Sequence, residues 1–139
     1  MSSIIHHHQR TRIVIGVVVM LMLAAMHGFR VGSYLSGKAY IYYYSFASDI
    51  MLPFGVYFML CMNDIQLRFL RKWQIKAGIV FGAMTFSEIL QFYGIYFFGV
   101  TFDWMDILMY GIGTMAAVVV DQQMLIRWIP SWNYEDKIS

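Results

Sequence analysis

Residues 87–113 read SEILQFYGIYFFGVTFDWMDILMYGIG, and this stretch decides the fold that the sequence predicts. It sets four polar side chains among residues that are otherwise nearly all apolar: Glu88, Gln91, Asp103 and Asp106. A carboxylate in an apolar medium needs a partner, a proton or water, because its bare burial is very unfavourable. The stretch therefore predicts two antiparallel membrane helices whose polar positions converge toward one side of a bilayer.

The composition of the whole chain is typical of an integral membrane protein. Of its 139 residues, 60% are hydrophobic and only 13% are charged, which lies well outside the usual range for soluble domains. The net charge of +2 and the lack of a basic stripe with interleaved aromatic residues argue against nucleic acid as a partner. Cys61 is the only cysteine, which excludes an internal disulfide and a metal site built from cysteines.

Four apolar segments predict four transmembrane helices between an N-terminal tail, residues 1–12, and a C-terminal tail, residues 130–139. A helix needs about 20 residues to cross a hydrocarbon core about 30 Å thick. The second helix must therefore begin before Asp49, because the uncharged segment after Asp49 is too short to cross. The predicted transmembrane domain covers residues 13–129, with spans at about 13–29, 45–63, 77–99 and 104–126.

The distribution of positive charges predicts the orientation of the chain. The segment from Asn63 to Lys76 carries four basic residues against Asp64 alone, and Arg10 and Arg12 precede the first span. Short basic loops mark the cytoplasmic side of a membrane. The predicted fold is an all-α, integral membrane four-helix bundle with both the N- and C-termini in the cytoplasm.

The polar residues of the spans are the candidate site. Glu88 lies about 16 Å along the third span, near the bilayer midplane, and Gln91 follows on the same face. Intramembrane carboxylates are functional candidates by default. The aspartates near helix starts have an alternative explanation as helix caps or dipole partners. The predicted ligand- or cation-binding residues are Asp49, Glu88, Gln91, Asp103 and Asp106.

Three other features each have a structural and a functional interpretation. His27, in the last turn of the first span, is either an interfacial side chain or an axial metal ligand of a haem or pigment. The tyrosines between Tyr40 and Tyr44 belong at a membrane interface or stack on a ligand. Gly78 and Gly82 form a small-xxx-small face, which predicts close contact between helices.

Residues 87–113 also resemble the signature of the VanZ-like family of small four-span bacterial membrane proteins. That signature is roughly E-x-x-Q in one span, a loop, and then D-x-x-D-I-L and a glycine in the next span. The matching residues are Glu88, Gln91, Asp103, Asp106, Ile107, Leu108 and Gly113, with Asp49 resembling an acidic position of the family's second span. The resemblance implies the family fold and a location in the bacterial inner membrane.

The chain departs from the family pattern at two places. An Arg of the outer loop is replaced by Val100 and Thr101, and an Asn that follows the second aspartate is replaced by Tyr110. The loss of the Arg leaves several acidic groups without an obvious counter-charge. Protons, a cation or a basic residue such as Arg30 or Lys38 would have to supply it.

Two functions of different classes follow from these observations. The first is a VanZ-like protein with an outward-opening acidic pocket for a cation or for the head group of a lipid-linked or glycopeptide ligand. The second is a small accessory or scaffolding subunit of a larger membrane complex, in which a pigment or haem would give His27 a role. An ion-coupled carrier ranks below both, because the chain lacks repeated halves.

The sequence gives little support to an enzymatic activity. No Ser or Cys is accompanied by a suitably placed His, which disfavours catalysis by a nucleophile–base pair. No cofactor is identified. The expected partners are the lipid bilayer and, beyond it, other membrane proteins or a second copy of the chain.

Overall fold

Four long helices make up the computed structural model of the chain, which describes residues 2–96 and 101–133. They are α1 (Ser2–Gly28), α2 (Lys38–Asn63), α3 (Trp73–Phe92) and α4 (Trp104–Trp128). Each contains a segment long and apolar enough to cross a membrane, and the described ranges contain no strand. The prediction of an all-α chain with four such helices is confirmed.

Local irregularities accompany the long helices. One π-helical turn, Tyr43–Ala47, lies inside α2, and another, Val120–Leu125, lies inside α4. Short 3₁₀ turns, Val31–Tyr34 and Arg68–Arg71, lie in the connections before α2 and α3. A π-helical turn inside a helix rotates the side chains that follow it around the helix axis.

The helices and the predicted spans have different bounds. α1 begins at Ser2 and α2 at Lys38, so both helices extend beyond their apolar segments. α3 ends at Phe92, whereas the predicted span continues to about residue 99. Residues 97–100, the end of the predicted third span and the start of the turn after it, lie outside the described residues, as does the tail from residue 134.

The early end of α3 has a local cause in Gly94. This residue takes a left-handed conformation with φ +79°, which a side chain would disfavour. The N–H of Gly94 donates to the carbonyl of Gln91 at 2.9 Å, and the N–H of Ile95 donates to that of Leu90 at 2.9 Å. These two bonds form a Schellman motif, which closes the helix.

α2 is the central helix of the bundle. It packs against α1, α3 and α4, and α3 and α4 also pack against each other, as their short connection predicts. The closest approach is at Gly113, where a Cβ atom would collide with the carbonyl oxygen of Ile50 and press on the ring of Pro53. Gly113 of α4 is thus a packing position against α2.

The small-residue face of α3 does not pack inside the chain. A Cβ atom added to Gly78 or Gly82 would meet no other atom of the described residues within 4 Å. The prediction of a close helix contact at these glycines is therefore wrong for contacts among the described residues of one chain. The reason is that α4 packs on the face of α3 that carries Val80, Met84, Ser87 and Glu88, all of which are buried.

Candidate functional site

An acidic cluster, defined here as Asp49, Glu88, Asp103 and Asp106, lies where α4 begins, α3 nears its end and the middle of α2 packs against them. Glu88 is its buried member, with 2% of its surface exposed. Its Oε1 accepts hydrogen bonds from the Tyr110 hydroxyl at 2.8 Å and from Gln91 Nε2 at 3.2 Å. Glu88 is thus held by one partner on its own helix and one on α4.

The three aspartates of the cluster are more accessible than Glu88. The half-buried carboxyl groups of Asp49 and Asp106 lie close to each other, where the middle of α2 meets the start of α4. Asp103 is exposed, and its Oδ1 caps α4 by accepting from the Met105 N–H at 2.9 Å.

A proline leaves a further acceptor beside Asp49. Pro53 lies inside α2 and has no N–H, so the carbonyl of Asp49 lacks its usual partner one turn later in the helix. Both residues face α4 near Gly113 and Asp106. The middle of α2 thus brings carboxylate and carbonyl oxygens to one place.

Three buried polar atoms near Glu88 have no hydrogen-bond partner among the described residues. They are Glu88 Oε2, Gln91 Oε1 and Ser87 Oγ. Buried polar atoms are nearly always paired, so a group of three such atoms at neighbouring positions is typical of a site that takes a partner from outside the chain. Two of the three are acceptors, so that partner is expected to donate.

No basic side chain of the described residues forms an ion pair with the acidic cluster. The ion pairs within residues 2–96 and 101–133 all lie at the other end of the bundle, and none involves Arg30 or Lys38. The described residues also hold no group of three or more His, Cys, Asp or Glu side chains placed to hold a metal ion. His27 is therefore not part of such a group within that part of the chain.

Two neighbouring cavities lie between α1 and α2, and together they are called the lateral groove here. The inner cavity, about 490 Å³, has apolar walls that include Met20, Leu23 and Leu52, and it reaches Asp49 and Tyr110. The outer cavity, about 530 Å³, is lined by polar residues that include Arg30, Ser33, Tyr40, Tyr43 and Tyr44. The two cavities are adjacent, because they share the lining residues His27, Ser48 and Met51.

A second polar group, which sequence reasoning missed, lies at the opposite end of the bundle. This ion-pair network consists of Arg12, Asp64, Lys76 and Asp121. Lys76 Nζ lies 3.2 Å from Oδ2 of Asp64 and 3.2 Å from Oδ2 of Asp121, and Arg12 also pairs with Asp64. Burial raises the pKa of the Asp64 carboxyl above its ordinary value, while the positive charges of Arg12 and Lys76 act against the rise.

Hydrogen bonds extend the network to the segment after α4. Asp121 accepts from the Tyr57 hydroxyl at 2.7 Å and from Trp132 Nε1 at 2.7 Å. Arg12 Nη2 donates to the Trp132 carbonyl at 2.8 Å, and its guanidinium lies 4.4 Å from the centre of that indole ring. Trp132 is fully buried, so these contacts fix the chain after α4 against the start of α1.

One signal in the sequence indicates the network. Its four charged residues all lie at the same end of the four predicted spans, and their charges balance. Each one taken alone, however, has an ordinary interpretation as a charge at a membrane boundary.

Comparison with protein-family models, with curated proteins and with solved structures found no match. The function of the chain is therefore inferred from the geometry of these sites and from the resemblance of residues 87–113 to a family signature.

Proposed function

We propose that this chain is an integral protein of the bacterial inner membrane, VanZ-like in type, that binds a lipid-linked ligand in the lateral groove. Both termini lie in the cytoplasm, and the polar part of the groove opens on the outer side. The ligand's apolar chain lies in the inner cavity, and its head group contacts the outer cavity and the acidic cluster.

The single observation that carries the proposal is the change of lining between the two adjacent cavities of the groove. Its apolar walls belong to the middle of α1 and α2, and its polar walls begin at His27 and Ser48. An amphiphile whose chain lies among the spans and whose head lies at the interface matches this order. A hydrophilic ligand would leave the apolar walls without a partner.

The outer cavity indicates the chemistry of the head group. Arg30 supplies a positive charge suited to a phosphate or carboxylate, and the rings of Tyr40, Tyr43 and Tyr44 supply flat surfaces with hydroxyl groups. A head group that carries both an acidic group and hydroxylated rings, as in lipid-linked sugars, uses both features.

The acidic cluster meets the groove through two residues. Asp49 and Tyr110 line the inner cavity, and Tyr110 is also bonded to Glu88. The unpaired acceptors Glu88 Oε2 and Gln91 Oε1 lie behind this wall. A hydroxyl or amide of the head group that reaches the wall donates to these oxygens, which would supply the missing partner. A cation alone is the weaker ligand class, because three metal-holding side chains do not converge within the described ranges.

The test of this function is to fill the groove without touching the acidic cluster. Ala24 lines the inner cavity, whereas the adjacent Ala25 is exposed and does not line it. We expect Ala24→Trp to abolish retention of an added polyprenyl-phosphate sugar in native mass spectrometry, and Ala25→Trp to retain it. Equal retention by both variants, or none by the wild type, would contradict the proposal.

A second candidate function, an accessory subunit, has its own supporting observation on α3. Gly78 and Gly82 lie on an open face, and the buried Oγ1 of Thr85 on the same face has no hydrogen-bond partner in the described part of the chain. A partner helix would approach closely at the glycines and pair with the hydroxyl. Oxidative cross-linking of Gly82→Cys, made in a Cys61→Ser background, would capture that helix.

A further inference from the structure

We infer that Arg30 and His27 bind a phosphate group of the lipid-linked ligand, at the place where its apolar chain joins its head group; this site rests on the function proposed above. It adds a chemical requirement to that function. A glycolipid without a phosphate would also match the change from apolar to polar walls, but it would leave Arg30 without an anion.

Arg30 has a backbone conformation that arginine rarely adopts. Its φ of 47° and ψ of 51° are left-handed, and glycines are the only other described residues with a positive φ. This conformation costs free energy in a residue with a Cβ atom, whereas glycine avoids the cost. Residues that keep it are concentrated at ligand-binding sites. An arginine at a position suited to glycine therefore indicates a role for its side chain.

Hydrogen bonds in the turn after α1 hold Arg30 in this conformation. Its N–H donates to the carbonyl of His27 at 3.2 Å. Its carbonyl accepts from the N–H and from the hydroxyl of Ser33, each at 2.7 Å. Both polar groups of the Arg30 backbone are thus paired, while its guanidinium belongs to none of the ion pairs in the part of the chain that the structure describes. Arg30 is exposed and lines the outer cavity, so an anion in that cavity can reach it.

His27 and Ser48 lie at the boundary between the two cavities, because each of them lines both. A phosphate or diphosphate joins the chain to the sugar in lipid-linked sugars. An arginine donates two parallel N–H groups to such an anion, and an imidazole N–H and a hydroxyl add further donors. The groove therefore offers apolar walls to the chain and then, from His27 onward, donors to the phosphate.

The two charged residues of the groove line different cavities. Asp49 lines the inner cavity and Arg30 lines the outer cavity, and no carboxylate is among the described residues that line the outer one. An anion is thus favoured on the outer side alone. Carboxylates of lipid-linked sugars belong to the sugar units, farther from the chain than the phosphate. The anion at His27 is therefore the phosphate.

The test compares two probes by native mass spectrometry of the full chain in a neutral maltoside detergent. One probe is polyprenyl-phosphate glucose, and the other is polyprenyl glucoside of the same chain length, which lacks the phosphate. The variant is Arg30→Gln. The matched control is Lys38→Gln, which removes an exposed positive charge at the start of α2 that lines neither cavity of the groove.

We expect the wild type and Lys38→Gln to bind the phosphate probe at least about tenfold more tightly than the glucoside, because charge-assisted hydrogen bonds are made only to the phosphate. Arg30→Gln should bind the two probes equally. Equal binding of both probes by the wild type, or an unchanged preference in Arg30→Gln, would overturn the phosphate site and leave the proposed function intact. Binding of neither probe would contradict the proposed function and this site together.

A second variant separates loss of binding from loss of the fold. Arg30→Gly takes the left-handed conformation without strain. We expect it to lose the preference for the phosphate probe while its thermal unfolding midpoint without ligand is at least as high as that of the wild type. A lower midpoint would show that the arginine is kept for the fold and would overturn the assignment.

Discussion

The hydroxyl of Tyr110 on α4 donates a hydrogen bond of 2.8 Å to Oε1 of Glu88 on α3. Tyr110 occupies the position at which the VanZ-like signature has an Asn. The tyrosine hydroxyl still supplies a hydrogen-bond donor to Glu88 at this position. The same tyrosine lines the lateral groove. One residue therefore connects the buried carboxylate with the cavity in which we propose that a ligand binds.

Replacing Tyr110 with Phe should destabilise the protein, because Glu88 then keeps only Gln91 as a hydrogen-bond donor. The loss of a hydrogen bond to a buried carboxylate costs about 1–3 kcal/mol. Thermal unfolding in detergent measures the change. Tyr93→Phe is the control, because Tyr93 is 74% exposed. Equal stability of the two variants would show that the Tyr110–Glu88 bond contributes nothing.

Replacing Lys76 with Met should be the most damaging of the single changes, because it leaves Asp64 and Asp121 buried with less positive charge beside them. Breaking a buried ion pair from one side costs about 3–5 kcal/mol. Lys38→Met, at an exposed position, should change stability little. If chemical denaturation gives both variants the same free energy of unfolding, the ion-pair network does not stabilise the bundle.

Alanine at Gly113 should separate α2 from α4, because its Cβ would collide with the backbone of Ile50. Overpacking of this kind costs about 1–3 kcal/mol. Alanine at Gly82 has open space around it and should be neutral or stabilise the helix by up to about 1 kcal/mol. A loss of stability in Gly82→Ala equal to that of Gly113→Ala would contradict the packing described above. The two substitutions are thus expected to differ clearly in their effect on stability.

The proposed orientation makes a prediction for labelling in whole cells. A membrane-impermeant maleimide should label Tyr34→Cys in intact cells, because Tyr34 precedes α2 and is 84% exposed. Arg68→Cys should react only after the membrane is permeabilised. The native Cys61 is buried, so the unmodified chain gives the background. The reverse pattern would place both termini outside the cell and invert the proposed topology.

Hydropathy predicted the number of long helices, because a long apolar segment is a strong signal by itself. It predicted their ends less well, since those depend on local chemistry. The Schellman turn at Gly94 ends α3 while the sequence is still apolar, and α1 continues through polar residues to Ser2. The spacing of Glu88 and Gln91 put both on one helix face, and their side chains are hydrogen-bonded.

Contacts between helices could not be derived from periodicity. The bond from Tyr57 to Asp121 joins residues 64 positions apart, and nothing in either helix alone indicates the other. The charges of Asp64 and Lys76 were already explained by a solvated loop between two spans, so the sequence did not indicate that they pair. The lateral groove could not be predicted either, because it depends on the distance between α1 and α2 and not on the sequence of either helix.

The central claim, that one lipid-linked ligand occupies the groove, is tested most directly by photo-cross-linking in the native membrane. A benzophenone amino acid is placed at Met51, which both cavities share, and for comparison at Met115, which is 53% exposed on the outside of α4. Mass spectrometry then identifies the attached lipid. We predict a single lipid-linked species at Met51 and bulk phospholipids at Met115. The same mixture of bulk phospholipids at both positions would contradict the account.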